Sequence, residues 1–97
     1  MTTLADQRQI PVLNDSQLEL LTQLRLRATR RAQARRALLQ EVSRTLELAR
    51  RHLQDSNGVA LRNCEQIMAQ LAEQMLVLQH QHQTDRAFES HLWSQSG

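Results

Sequence analysis

The chain has 97 residues, a formal net charge of +2 at pH 7, and 40% hydrophobic residues that include one Trp, one Phe and no Tyr. This length suits one small domain that buries only about two thirds of its unfolded surface, so we expect a partner to contribute to its stability. The single cysteine, Cys64, excludes an internal disulfide, and the lack of a signal-peptide core and of any apolar run near about 18 residues predicts a cytoplasmic protein that does not engage a membrane.

The N-terminal segment differs from the rest of the chain. Residues 1–13 show no helical period, and Pro11 favours extended backbone at the residue before it. After this segment, the good helix formers Leu, Gln, Arg, Ala and Glu dominate the composition. We therefore predict an extended segment over residues 1–13 and a helical domain over residues 14–94.

A first long helix is predicted over about residues 16–54. Asn14, Asp15 and Ser16 are all suitable N-caps, and Ser16 with Glu19 forms a capping box ahead of a leucine-rich run. Apolar residues then recur at steps of three and four, which predicts a seam like that of a coiled coil. The predicted seam comprises Leu21, Leu24, Ala28, Ala32, Arg35, Leu39, Val42, Leu46, Ala49 and Leu53.

A turn is predicted at residues 55–58, where we expect Gly58 to adopt the left-handed conformation that ends many helices. A second helix is predicted over about residues 59–93. Thr84 is a possible N-cap, so two interpretations stay open: one continuous helix, or a break near residue 84 followed by a short separate helix. The predicted seam of the second helix comprises Ala60, Cys64, Ile67, Leu71, Met75 and Leu78.

Two helices of matched length on either side of one turn predict an all-α fold, an antiparallel αα-hairpin. If the helices fold back on each other, the numbers of facing residues sum to roughly 114. Each helix keeps leucines or methionines outside its seam, and burying such a side chain contributes about 1.5 to 3 kcal/mol. We therefore expect the hairpin to complete a helical bundle, either by dimerisation or by binding a partner.

The charge of the chain is concentrated in one block of arginines. All 12 positively charged side chains are arginines, and six of them fall in the Arg25–Arg36 block, which contains no acid. Several of these arginines are four residues apart, and an anion would relieve the repulsion between them. Two interpretations remain open. In one, Arg25, Arg31 and Arg35 pair with Asp85, Glu89 and solvent and set the helix register; in the other, the block binds an acidic protein surface or phosphate outside the fold.

The sequence contains one aromatic cluster, formed by Phe88, Leu92 and Trp93. Their spacing places them near one another on a flank of the second helix. This cluster either covers the leucines at the start of the first helix or serves as an anchor in a groove of a partner.

No motif in the sequence indicates catalysis. His80 and His82 are two residues apart, which points them to opposite sides of a helix and argues against a shared metal. No nucleophile and base occur at a recognisable spacing, and there is no phosphate-binding loop. We therefore expect neither an enzyme nor a cofactor, a metal site or a small-molecule substrate.

The sequence favours a small non-enzymatic helical interaction protein, such as an adaptor, a secretion-type co-chaperone or an inhibitor. It would bind a protein partner, or a second copy as a homodimer, through apolar helix flanks and the arginine block. The alternative is a nucleic-acid-associated regulator in which the Arg25–Arg36 block binds phosphate. The residues predicted to contact the partner are Arg27, Arg30, Arg31, Arg35, Leu38, Met68, Leu76, Phe88, Leu92 and Trp93.

Overall fold

The computed structural model describes residues 13–95, which form two long helices, α1 (Asp15–Gln54) and α2 (Gly58–Gln95). The helices lie antiparallel along most of their length and form a rod, in which the 40 residues of α1 span about 60 Å. This arrangement confirms the predicted all-α hairpin. Apart from Leu13, the predicted extended segment 1–13 lies outside the described residues.

The second helix is continuous through the position of the possible break. Thr84 lies inside α2, and its hydroxyl donates a hydrogen bond of 3.0 Å to the carbonyl of His80. A hydroxyl that bonds one turn back along its own helix is compatible with uninterrupted helical backbone. Of the two interpretations, the single continuous helix is the one observed.

The first helix is capped two residues earlier than the predicted capping box. The Asn14 side chain accepts a hydrogen bond of 2.9 Å from the backbone N–H of Gln17, and the Gln17 side chain accepts one of 3.0 Å from the Asn14 N–H. The predicted box of Ser16 and Glu19 is therefore wrong. Asn14 is as good an N-cap as serine, and its bonds with Gln17 place Ser16 inside the first turn.

The turn between the helices ends α1 with a left-handed residue, but that residue is not Gly58. Ser56 has a φ of 54°, while its N–H donates to the carbonyl of Leu53 at 3.2 Å and the N–H of Asn57 donates to that of His52 at 2.9 Å. These two bonds form a Schellman motif. Gly58 begins α2 instead, so the predicted left-handed conformation at Gly58 is wrong.

The seam of α1 follows alternating steps of four and three, and this corrects part of the predicted seam. Ala28 and Arg35 fall on the same pattern but are exposed, as is the predicted seam residue Ala32. The predicted pattern takes two consecutive steps of four, from Leu24 to Ala28 and from Ala28 to Ala32. Beyond Ala32 it therefore coincides with the observed pattern only at every second predicted position. Leu39, Leu46 and Leu53 were predicted in the seam but remain 47%, 55% and 67% exposed. The α1 residues that are half-buried or buried against α2 are Gln17, Leu21, Leu24, Arg31, Leu38, Val42, Thr45, Ala49 and His52.

The seam of α2 is also shifted in part. Ile67 was predicted in the seam but is exposed, whereas its neighbour Met68 is half-buried. Steps of three and four from Cys64 reach Met68 and Leu71 and leave Ile67 on the flank. The α2 residues that are half-buried or buried are Ala60, Leu61, Cys64, Met68, Leu71, Met75, Leu78, Asp85, Glu89 and Leu92.

The hairpin has a thin core, because a single seam between two helices covers little surface. Among the described residues, the buried side chains are Leu24, Thr45, Cys64, Leu71, Asp85 and Leu92. Large apolar side chains outside the seam are left in contact with water.

Candidate functional site

Part of the arginine block is engaged inside the hairpin. Arg31 and Arg27 of α1 approach the two carboxylate oxygens of Asp85 on α2, at 2.5 Å and 3.1 Å respectively. Nearer the open end of the hairpin, Arg25 lies 3.5 Å from Glu89. The numbers of the three pairs sum to 116, 112 and 114, in agreement with the predicted pairing of the helices.

The pair of Arg31 and Asp85 occupies the seam itself. Their side chains are only 12% and 9% exposed, whereas the side chain of Arg27 remains 56% exposed. Arg31 donates a charge-assisted hydrogen bond to one oxygen of Asp85, and Arg27 adds an ion pair at the other oxygen. This contact supports the interpretation in which the block sets the helix register, because a slip of either helix would separate the two charges.

The other arginines of the block are exposed. Arg30, Arg35 and Arg36 have no ion pair with an acid among residues 13–95. Arg30 and Arg27 border a shallow depression on one side of the hairpin. Arg35 faces a larger groove on the other side.

This larger groove has a volume of about 880 Å³ and runs between α1 and α2. Small side chains create it, because Ala28 and Ala32 on α1 and Ala72 on α2 leave space that leucines would fill. The residues that line the groove are Ala28, Arg31, Ala32, Arg35, Ala72, Met75, Leu76, Leu78, Gln79 and His82. The groove is mostly apolar, and its basic lining residues are Arg31, Arg35 and His82.

An apolar surface extends from the groove toward the turn, and we call it the leucine face. It consists of Leu39, Leu46 and Leu53 of α1 with Leu76 of α2, which is 64% exposed. The three α1 leucines follow groove residue Ala32 at seven-residue steps, so they lie on the same side of α1. Leu76 lines the groove directly. One side of the hairpin therefore presents the projecting side chains of the leucine face next to the groove.

The predicted apolar contact residues are divided between the seam and the surface. Leu38 and Met68 are half-buried and Leu92 is buried, which places all three in the seam. Leu76 is exposed and belongs to the leucine face. Leu39, Leu46 and Leu53 lie on the surface, although the sequence pattern places them in the seam. Their seven-residue repeat, running beside a second repeat that includes Leu38, was the signal that the apolar stripe is wider than one seam.

The aromatic cluster does not form one exposed anchor. Leu92 is 5% exposed and packs in the seam, while Phe88 and Trp93 flank it and are 44% and 36% exposed. The five-residue spacing of the two aromatics separates them by about 140° around the helix axis. They therefore contribute to opposite sides of the hairpin.

The described residues contain no group of three or more His, Cys, Asp or Glu side chains that could hold a metal ion. Cys64 is a free, buried thiol in the seam. Within residues 13–95 neither helix is both long and apolar enough to cross a membrane.

Comparison of the chain with protein-family models, with curated proteins and with solved structures finds no match in any of the three.

Proposed function

We propose that this protein is a small non-enzymatic interaction module that binds a protein partner through its leucine face and the adjoining groove. The observation that carries the proposal is the set of four leucines, each between 47% and 67% exposed, on the side of the hairpin that holds the groove. Contiguous exposed apolar surface on a small protein typically marks an interaction site. An adaptor, a secretion-type co-chaperone or an inhibitor would act by such binding.

The groove also supports a protein occupant through its charge. Arg35 has no ion pair with an acid among residues 13–95, and its guanidinium borders apolar walls made by Ala32 and Met75. A partner helix could pack its leucines against the apolar walls of the groove and accept a hydrogen bond from Arg35 at a carboxylate or carbonyl oxygen. A phosphate backbone would use the charge of Arg35 but not the apolar walls.

The nucleic-acid alternative is less well supported. Arg25, Arg27 and Arg31 are ion-paired with Glu89 and Asp85, which reduces the charge that the block offers to phosphate. The exposed Arg30, Arg35 and Arg36 are the remaining support for this alternative. Binding to phosphate would weaken steeply with salt, because each neutralised phosphate releases counterions.

Site-specific photocrosslinking in the producing cells tests the proposal. A photoreactive benzoylphenylalanine replaces Leu46, and in a matched control it replaces Leu48, which is 46% exposed but lies about 200° away around α1. We expect protein adducts from position 46 and few from position 48. Adducts to nucleic acid, or equal yields at both positions, would contradict the proposal.

A further inference from the structure

We infer that the occupant of the leucine face is a second copy of this chain, packed face to face and antiparallel to form a four-helix bundle. This inference rests on the proposed function, because it names the partner of the same surface. In this dimer a twofold axis passes between the copies near Leu39, so that α1 lies against α1 and α2 against α2. The turn of each hairpin then lies beside the open end of the other.

The exposed area is sufficient for such a dimer. Two helices of about 57 Å, side by side with a combined width of roughly 20 Å, give one face of the hairpin roughly 1,100 Å². A stable interface of ordinary size buries about 800 Å² on each partner. Antiparallel hairpins with a leucine stripe beside the seam are also the usual components of four-helix bundles.

The shape of the face is complementary to itself only in the antiparallel arrangement. Leu46 projects from α1, 14 residues along from the hollow at Ala32. With the axis near Leu39, Leu46 of each copy lies opposite Ala32 of the other. The projecting Leu46 side chain then packs into the groove at Ala32. In a parallel arrangement the two hollows would face each other and leave the groove empty, which costs contacts.

The charges beside the face favour the same arrangement. Glu65 and Arg86 lie at seven-residue steps from groove residues Ala72 and Gln79, and neither has an ion-pair partner among residues 13–95. An axis near Met75 brings Glu65 of each copy to Arg86 of the other, which makes two equivalent ion pairs. A parallel arrangement would instead place Arg25 of one copy near Arg86 of the other.

One axis satisfies both requirements. The pair of Leu46 and Ala32 is centred on Leu39, and the pair of Glu65 and Arg86 is centred next to Met75. The ion pairs across the seam, whose numbers sum to between 112 and 116, place Leu39 and Met75 at the same height of the hairpin. Shape and charge therefore specify the same twofold axis independently.

The test starts with the mass of the purified chain in solution, by light scattering and sedimentation equilibrium at micromolar concentration. We expect a dimer for the wild type and for Leu48→Glu, and a monomer for Leu46→Glu, with helicity checked by circular dichroism. A monomeric wild type, or a dimer that Leu48→Glu dissociates and Leu46→Glu does not, overturns the inference.

A charge exchange tests the register without placing a charge in the apolar face. Glu65→Arg or Arg86→Glu alone should raise the dimer Kd by about tenfold, because each introduces two like-charge contacts in place of ion pairs. The combination of both substitutions should restore the wild-type Kd to within about threefold. Independent, additive effects of the two substitutions would overturn the antiparallel register.

The photocrosslinking experiment separates failure of this inference from failure of the proposed function. Adducts of position 46 with the chain itself support the dimer. Adducts with a different protein, together with a monomeric purified chain, overturn the dimer and leave the proposed function standing. Absence of protein adducts at position 46 contradicts the proposed function itself.

Discussion

Arg31 and Asp85 form an ion pair within the seam of the hairpin, with 2.5 Å between Nη1 and Oδ2. Both occupy positions at which the seven-residue pattern of the neighbouring turns places Leu24 and Leu38 on α1 and Leu78 and Leu92 on α2. The pair thus replaces an apolar contact with a charged one midway along the arms. A polar pair at such a position gives up stability relative to leucines and specifies the register.

Removing one member of this pair should destabilise the protein more than removing both. Arg31→Ala is expected to lower the free energy of unfolding by about 2 to 3 kcal/mol, because it leaves Asp85 mostly buried with one partner fewer. Arg31→Leu combined with Asp85→Leu should come within about 1 kcal/mol of the wild type or exceed it. Urea denaturation at one fixed protein concentration measures both values.

Arg27 is the matched control for this prediction, because it contacts the same carboxylate at 3.1 Å while its side chain is 56% exposed. Arg27→Ala should cost no more than about 1 kcal/mol, as expected for a solvent-screened pair. Equal losses for Arg27→Ala and Arg31→Ala would show that burial does not determine the contribution of this cluster.

The turn should be stabilised by glycine at position 56 and by alanine at position 58. Ser56 adopts a φ of 54°, which favours glycine, whereas Gly58 has no positive φ and a Cβ there would meet nothing within 4 Å. Ser56→Gly and Gly58→Ala should each raise the free energy of unfolding by about 0.5 to 1 kcal/mol. Thermal and urea denaturation measure the gains.

Two further substitutions at the same turn should lower the free energy of unfolding. Ser56→Val should destabilise the protein, because a β-branched residue tolerates the left-handed region poorly. Asn57→Ala should also destabilise it by about 1 kcal/mol, because the Asn57 side chain accepts a hydrogen bond of 3.2 Å from the N–H of Ala60 and caps α2. A stabilising Ser56→Val would contradict the assignment of strain to this residue.

The N-terminus of α1 should depend on Asn14 and not on Ser16. Asn14→Ala is expected to lower the free energy of unfolding by about 0.5 to 1.5 kcal/mol, because it removes the acceptor for the Gln17 N–H. Ser16→Ala should be nearly neutral or slightly stabilising, since Ser16 lies within the first turn. Hydrogen exchange of the first-turn amides would locate the change, and a larger loss for Ser16→Ala would contradict the observed cap.

Cys64 offers a direct measure of how often the seam opens. Its thiol is buried, with the residue 6% exposed, so a thiol reagent should label the folded protein at least about 100-fold more slowly than the urea-unfolded chain. Arg31→Ala should speed labelling in the folded state, because a less stable seam opens more often. Labelling at the unfolded rate in the absence of denaturant would contradict the burial of Cys64.

Local sequence was enough to determine the class of fold. The helix-forming composition, the polar break before Gly58 and the matched lengths of the arms predicted an antiparallel hairpin, and the acids on α2 were correctly expected to face the arginine block. Each of these features depends on residues near one another in the chain or on simple pairing across one turn. For the same reason the ion pairs of Arg31 and Arg25 could be proposed as one of two interpretations.

Only the tertiary structure decided which residues enter the seam. In α1 apolar residues occupy neighbouring positions, as with Leu38 and Leu39, so the sequence pattern alone fits either one. Contact with α2 selects Leu38, Thr45 and the polar Arg31, because strict four-three steps keep one stripe facing the partner helix along the whole arm. Leu39, Leu46 and Leu53 are thereby left outside the seam. The leucine face, on which the proposed function rests, exists because packing, rather than local hydrophobicity, fixes the rotation of each helix about its axis.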